Sequence, residues 1–174
     1  YLKAKPNITQ NAVRFTMEAD SLNCSILTPD ATPDTPEFDL YVSEVVKEMT
    51  VKAGQKCTAI RRAIVPESLL EPVGEAISKK LAALVVGDPT QEQVNMGPLA
   101  SKAQQTEVRT RVAELRASCD LVYGNPEQIS VVGGNDQSGA FISPVLLVNQ
   151  QPFNDHLAHD TEAFGPVATL MPYQ

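Results

Sequence analysis

Tryptophan is missing from this 174-residue chain, histidine occurs twice and cysteine three times. Cys24, Cys57 and Cys119 form an odd, widely spaced set. That argues against a disulfide scaffold and for free thiols in a reducing cytoplasm. His156 and His159 are the only histidines, and no Cys/His group has zinc spacing, so no metal site is expected. No apolar run approaches the ~20 residues needed to cross a membrane. The opening YLKAKPNITQ lacks the apolar stretch and cleavage site of a secretion signal. It also begins without Met and reads as a cut edge. Positive charge is scarce: 14 Lys and Arg against 21 Asp and Glu leave a net charge of −7, with the basic residues scattered. Neither a nucleic acid nor an anionic membrane is therefore an expected partner, since both call for clustered positive charge.

What is present suits one packed domain. Hydrophobic residues make up 43% of the chain, and no repeats or low-complexity tracts occur. Residues 1–14 are polar and irregular. Arg14–Met17 reads as a short strand with Glu18 at its end. Residues 28–39 carry Pro29, Pro33 and Pro36 among four acidic side chains and read as loop. Val42, Val45, Val46 and Met49 then recur at helical spacing, with Asp39 as a plausible N-cap. Gly54 suits the turn that ends this helix. Arg61–Val65 reads as a strand, and Pro66 opens a helix bearing Leu70, Val73, Ile77, Leu81 and Leu84. Met96–Leu99 reads as loop, and Ser101 caps a third helix carrying Val108, Val112 and Leu115. Strands are expected at Leu121–Tyr123, Phe141–Val148 and Val167–Met171, with Pro144 imposing an edge or irregularity. Helices alternating with strands predict an α/β fold: an open, mostly parallel or mixed sheet flanked by helices.

One short segment draws attention as chemistry. In Gly54-Gln55-Lys56-Cys57-Thr58-Ala59 a cysteine follows a helix and a glycine turn. A turn exposes a side chain, and Lys56 beside it would favour a thiolate. Read alone, a cysteine between a helix and a strand is more often a small buried apolar group.

Gly54-Gln55-Lys56-Cys57-Thr58-Ala59 followed by Arg61 and Arg62 resembles the active-site cysteine signature of the aldehyde dehydrogenase superfamily. Two further segments resemble that family's motifs, in its order: Val86-Gly87-Asp88-Pro89 with Met96-Gly97-Pro98-Leu99 and Ser101, then Glu162 with Phe164-Gly165-Pro166-Val167. Phe15–Asn23 departs from the family's usual pattern around its general base. It is similar instead to one branch, which holds the aldehyde dehydrogenase half of a bifunctional phenylacetate-degradation protein and the semialdehyde dehydrogenases of the benzoyl-CoA pathway. Met49–Arg62 fits the same branch.

The resemblance implies a mechanism and assigns residues to it. Cys57 would be the nucleophile, forming a thiohemiacetal and then a thioacyl enzyme, and Glu18 would activate the water that hydrolyses it. The Cys57 backbone N–H would help hold the oxyanion. The stretch from Glu18 to Cys57 is a few residues longer than in many members, and the insert at 28–39 absorbs the difference. Glu162 would accept hydrogen bonds from the ribose beside the nicotinamide of NADP or NAD, with Phe164 near that ring. The substrate would be a small-molecule aldehyde, an aliphatic CoA-linked semialdehyde, oxidised to a carboxylate. The full-length protein would be a cytoplasmic homo-oligomer.

The family's dinucleotide-binding domain has no counterpart here, since no Gly-rich phosphate loop is present. Residues 1–14 are expected to be a tail or remnant of that domain, and 15–174 a catalytic domain incomplete at its C-terminus, with little turnover alone. Gln55, Lys56 and Thr58 would shape the turn, Cys24 and Cys119 would be inert, and the histidines would lie at the surface. Two other readings stay open: a non-catalytic module that retains the fold, and a cysteine acyltransferase or hydrolase with a histidine base.

Overall fold

Val145-Leu146-Leu147-Val148 is apolar at every position, and all four side chains are buried. Such a run suits a strand covered on both faces. The computed structural model, which describes residues 4–16 and 21–174, shows that arrangement. In chain order the strands are β1 (Asn23–Ile26), β2 (Ile60–Pro66), β3 (Asp120–Tyr123), β4 (Val145–Val148) and β5 (Val167–Tyr173). The helices are α1 (Pro6–Gln10), α2 (Pro36–Thr50), α3 (Leu70–Ala82), α4 (Lys102–Leu115) and α5 (Leu157–Asp160).

The strands form one sheet in the order β1-β2-β5-β4-β3. The first four run parallel and β3 is antiparallel to β4, so the sheet is mixed, as expected. Alternation along each strand divides the core in two. Ala63, Val65, Leu146, Val148, Ala168 and Leu170 pack with α2 and α3 on one face. Val145, Leu147, Val167 and Met171 pack on the other face with Val108, Val112 and Leu115 of α4.

The helices follow their local signals, with one shift. Thr35, not Asp39, caps α2: its hydroxyl accepts from the Phe38 N–H at 3.3 Å. Pro36 then sits at the first helical position, and Glu37 and Asp39 occupy the first turn, where the helix dipole favours acids. The 28–39 loop is accordingly shorter than its proline content suggested. Ser101 caps α4 as expected, accepting from the Gln104 N–H at 3.2 Å.

Two strand expectations change, and a short helix appears near the start. Arg14–Thr16 is not in a strand, and Met17 lies outside the described residues. The strand in this region is β1, which begins at Asn23 and pairs with β2. Phe141–Pro144 stays outside β4: Pro144 has no N–H to donate to a ladder, and pairing starts at Val145. Within residues 1–14, Pro6–Gln10 forms a short helix.

Strand order places the site. β1, β2 and β5 are adjacent and parallel, so their N-terminal ends lie side by side. The segments that enter them, at residues 21–22, 54–59 and 162–166, therefore converge.

Candidate active site

A sharp backbone reversal sets the Cys57 turn. After α2, Lys52, Ala53 and Gly54 all take left-handed conformations, with φ of 55°, 51° and 69°. Two of these are not glycine, so the segment carries strain that its surroundings must hold. Gly54 has a steric reason for its identity. A β-carbon there would overlap the Gly165 carbonyl and come within 2.8 Å of the Met49 carbonyl oxygen.

Cys57 follows on an exposed turn. Its backbone carbonyl accepts two hydrogen bonds, from the Ser21 hydroxyl at 2.7 Å and the Asn23 amide at 2.5 Å. The Asn23 amide also donates to the Ala59 carbonyl at 3.2 Å, which pins both ends of the turn. Among the described residues no acceptor takes the Cys57 N–H. Glu18 lies outside the described residues, but Ser21 and Asn23 belong to the segment that follows it directly.

Glu162 enters from the β5 side. Its side chain is only 7% exposed. One carboxylate oxygen accepts from Arg61 Nε at 3.3 Å and the other from the Ser21 N–H at 3.1 Å. A carboxylate has further lone pairs, so a hydroxyl could still be accepted there. Arg61 of β2 is 4% exposed. It also donates to the carbonyls of Gly165 at 2.6 Å and Gly54 at 2.7 Å, and lies 5.4 Å from the centre of the Phe164 ring. Burial draws the guanidinium pKa down, and the Glu162 carboxylate opposes that. A cavity of about 240 Å³, lined by Glu162, Phe164, Thr161, Asp160, Glu107 and Arg111, opens beside this pair.

Gln55 joins the three sequence motifs. Its side-chain oxygen accepts from the Ala100 N–H at 2.8 Å, and its amide donates to Gln104 at 3.1 Å and to the Phe164 carbonyl at 3.3 Å. It shapes the site, as its position suggested.

Two expectations are corrected by geometry. The Lys56 ammonium is paired with Glu48 at 2.6 Å, so its charge is already neutralised and it is not a free promoter of a Cys57 thiolate. His159 is half-buried rather than at the surface: its ring nitrogens meet Arg62 at 2.9 Å and the Pro152 carbonyl at 3.0 Å. A histidine with both nitrogens engaged is not available as the base for a cysteine hydrolase. Cys24 and Cys57 are both exposed, while Cys119 is buried and burial raises its pKa.

These positions carry a prediction for thiol chemistry. In the folded chain, iodoacetamide is expected to modify Cys57 and Cys24 well before Cys119, whose labelling must await opening of the core. Peptide mapping by mass spectrometry reads the order. Early modification of Cys119 would contradict the placement.

Sequence reading missed the roles of Ser21, Asn23 and Arg61. The only local signal for the first two was their place just after Glu18. Arg61 and Arg62 were indistinguishable in the signature; the structure puts Arg61 at the Glu162 carboxylate and Arg62 against Leu22 and His159. Among the described residues no group of acidic, histidine and cysteine side chains could hold a metal ion. No helix among them is long and apolar enough to cross a membrane.

Comparison with known proteins gives the family and the fold. The sequence profile of the aldehyde dehydrogenase family matches residues 3–174. The chain is 46% identical to the 3,4-dehydroadipyl-CoA semialdehyde dehydrogenase of Aromatoleum evansii, over 99% of this chain and 33% of that protein. It is 32% identical to the 3-succinoylsemialdehyde-pyridine dehydrogenase of a Pseudomonas species, over 92% of this chain and 31% of that protein. The chain thus spans about a third of the length of the curated relatives it matches. Among solved structures, betaine aldehyde dehydrogenase from Staphylococcus aureus, in complex with NAD+, superposes with a TM-score of 0.81 over 97% of this chain and 32% of that one, at 21% identity. A mutant of aldehyde dehydrogenase C from Pseudomonas syringae, complexed with NAD+ and octanal, superposes with a TM-score of 0.74 over 89% of this chain and 30% of that one, at 26% identity.

Proposed function

The chain belongs to the aldehyde dehydrogenase family, and from that premise we propose that it carries the nucleophile half of an active site oxidising a semialdehyde to a carboxylate. The observation that supports this most is the Cys57 turn. An exposed thiol sits where its own carbonyl is held by Ser21 and Asn23, beside a buried Glu162–Arg61 pair.

The residues divide the work as follows. The Cys57 thiolate adds to the aldehyde carbon and gives a thiohemiacetal. No acceptor among the described residues takes the Cys57 N–H, which leaves it to donate to the developing oxyanion. A nicotinamide dinucleotide, NAD or NADP, supplies the hydride acceptor when bound. The residues present fit its nicotinamide end: the Glu162 carboxylate offers acceptors for ribose hydroxyls, and the Phe164 ring lines the same cavity. Glu18 takes a proton from the water that attacks the Cys57 thioester, which releases the carboxylate and regenerates the thiolate.

The substrate we favour is an aliphatic semialdehyde carrying a CoA thioester, within aromatic-compound degradation by the phenylacetate or benzoyl-CoA route. The name of the relative at 46% identity supports that class. The whole protein would act in the cytoplasm as a homo-oligomer, with residues 15–174 forming its catalytic domain and 1–14 leading in from the cofactor domain.

Glu18→Gln in the intact protein tests the assignment. The variant is expected to release one burst of reduced cofactor, accumulate an acyl adduct on Cys57, and turn over about 10²–10⁴-fold more slowly. Rapid-quench mass spectrometry reads the adduct. Unchanged turnover without any adduct would remove Glu18 from the mechanism.

A further inference from the structure

Arg61 is the most enclosed cation of the site, and nothing in the proposed chemistry uses it. A buried guanidinium is costly unless its donors are satisfied. Here each guanidinium nitrogen has an acceptor, and the acceptors lie on two different segments. Nη2 holds the Gly54 carbonyl, at the end of the left-handed reversal that launches the Cys57 turn. Nη1 holds the Gly165 carbonyl, and Nε holds Glu162. The guanidinium also faces the Phe164 ring. Gly54 and Gly165 approach so closely that no side chain fits between them. Glu162 is tied in turn to the Ser21 N–H, and the Ser21 hydroxyl to the Cys57 carbonyl. The hydrogen bonds form a closed circuit through the nucleophile turn and the Glu162–Phe164 segment.

We infer that Arg61 is a positioning residue, which sets the spacing between the nucleophile turn and the Glu162 carboxylate and keeps that carboxylate aimed. The inference rests on the dehydrogenase reading above, in which Glu162 meets the cofactor ribose. The planar fork is needed for this. Lysine would restore the charge as a point, but it cannot serve three divergent acceptors and does not stack on a ring in the same way.

The test uses the intact protein and the variants Arg61→Gln, Arg61→Lys and Glu162→Gln. Calorimetric titration with NAD+ and NADP+ gives Kd for each. Steady-state kinetics gives kcat and the KM for cofactor and aldehyde. Arg61→Gln is expected to raise the cofactor Kd and KM about tenfold or more, as loss of an orienting partner does. Misplacement of the two segments is expected to lower kcat by up to about 100-fold. The aldehyde KM should hardly change. Arg61→Lys should recover cofactor affinity in part and kcat much less. Adding Glu162→Gln to Arg61→Gln should cost little more, because the two act as one unit.

A lowered Tm with unchanged Kd, KM and kcat would show a merely structural role and overturn the inference. If Arg61→Gln does not fold, Arg61→Lys and Glu162→Gln carry the test, and wild-type cofactor affinity in both would overturn it. If the wild-type protein has no Cys57-dependent aldehyde oxidation, the proposed function fails and this role falls with it. If that activity is present and the Arg61 variants match wild type, only the positioning role fails.

Discussion

Cys57→Ala in the intact protein is expected to lower kcat for aldehyde oxidation about 10⁴-fold or more, the scale seen when a covalent nucleophile is removed. Fold stability should stay within about 0.5 kcal/mol of wild type, because the thiol is exposed and only a surface atom is lost. The interactions that shape the turn should survive. Ser21 and Asn23 bind the Cys57 backbone carbonyl rather than its side chain, and alanine keeps that carbonyl. The variant should therefore still bind cofactor while forming no acyl adduct. Steady-state assays, thermal melting and adduct mass spectrometry check the three parts. Activity above about one per cent of wild type would point to another nucleophile, and exposed Cys24 on β1 would be the next to replace.

Gly54→Ala is expected to disturb both the fold and the site with a single methyl group. Two costs add. The residue has φ of 69°, where an L-side chain loses roughly 1–2 kcal/mol. The new β-carbon would also overlap the Gly165 carbonyl, an overpacking that costs about 1–3 kcal/mol after relaxation. A total near 3 kcal/mol would lower Tm by several degrees, at about 2–4 °C per kcal/mol for a domain of this size. The relaxation must push the Cys57 turn away from the Glu162–Phe164 segment, so kcat should fall by up to about 100-fold even where the protein folds. Gly97→Ala is the control: a β-carbon there meets only Pro89 side-chain atoms at ordinary contact distance, 3.6 Å or more. If Gly54→Ala melted and turned over like Gly97→Ala, the close packing of the two loops would be wrong.

The legible parts of the fold were those coded by near neighbours. Val73, Ile77 and Leu81 repeat at helical spacing and are buried along α3; Ser101 announces α4 by its cap. Val145–Val148 and Val167–Tyr173 are apolar enough to be central strands, and they are. β1 was missed because Asn23-Cys24-Ser25-Ile26 is only four residues long and mostly exposed, and it is held by pairing with β2. The cap of α2 was placed four residues late because Thr35 and Asp39 are both good caps, and only the hydrogen bond to Phe38 distinguishes them.

The same division runs through the site. By itself the sequence determined the nucleophile candidate, its glycine turn and the three motifs around it, because residue identity and spacing along the chain carry those. Tertiary structure alone decided that β1, β2 and β5 are neighbours, and hence that Ser21, Cys57 and Glu162 meet at one end of the sheet. It also decided that Arg61 rather than Arg62 faces Glu162, and that Glu48 neutralises Lys56. Local periodicity says which residues are apolar and which face they share, but strand order depends on packing between segments far apart in the chain. A buried charge is equally silent in one dimension, since its acceptors come from loops brought together only by that order.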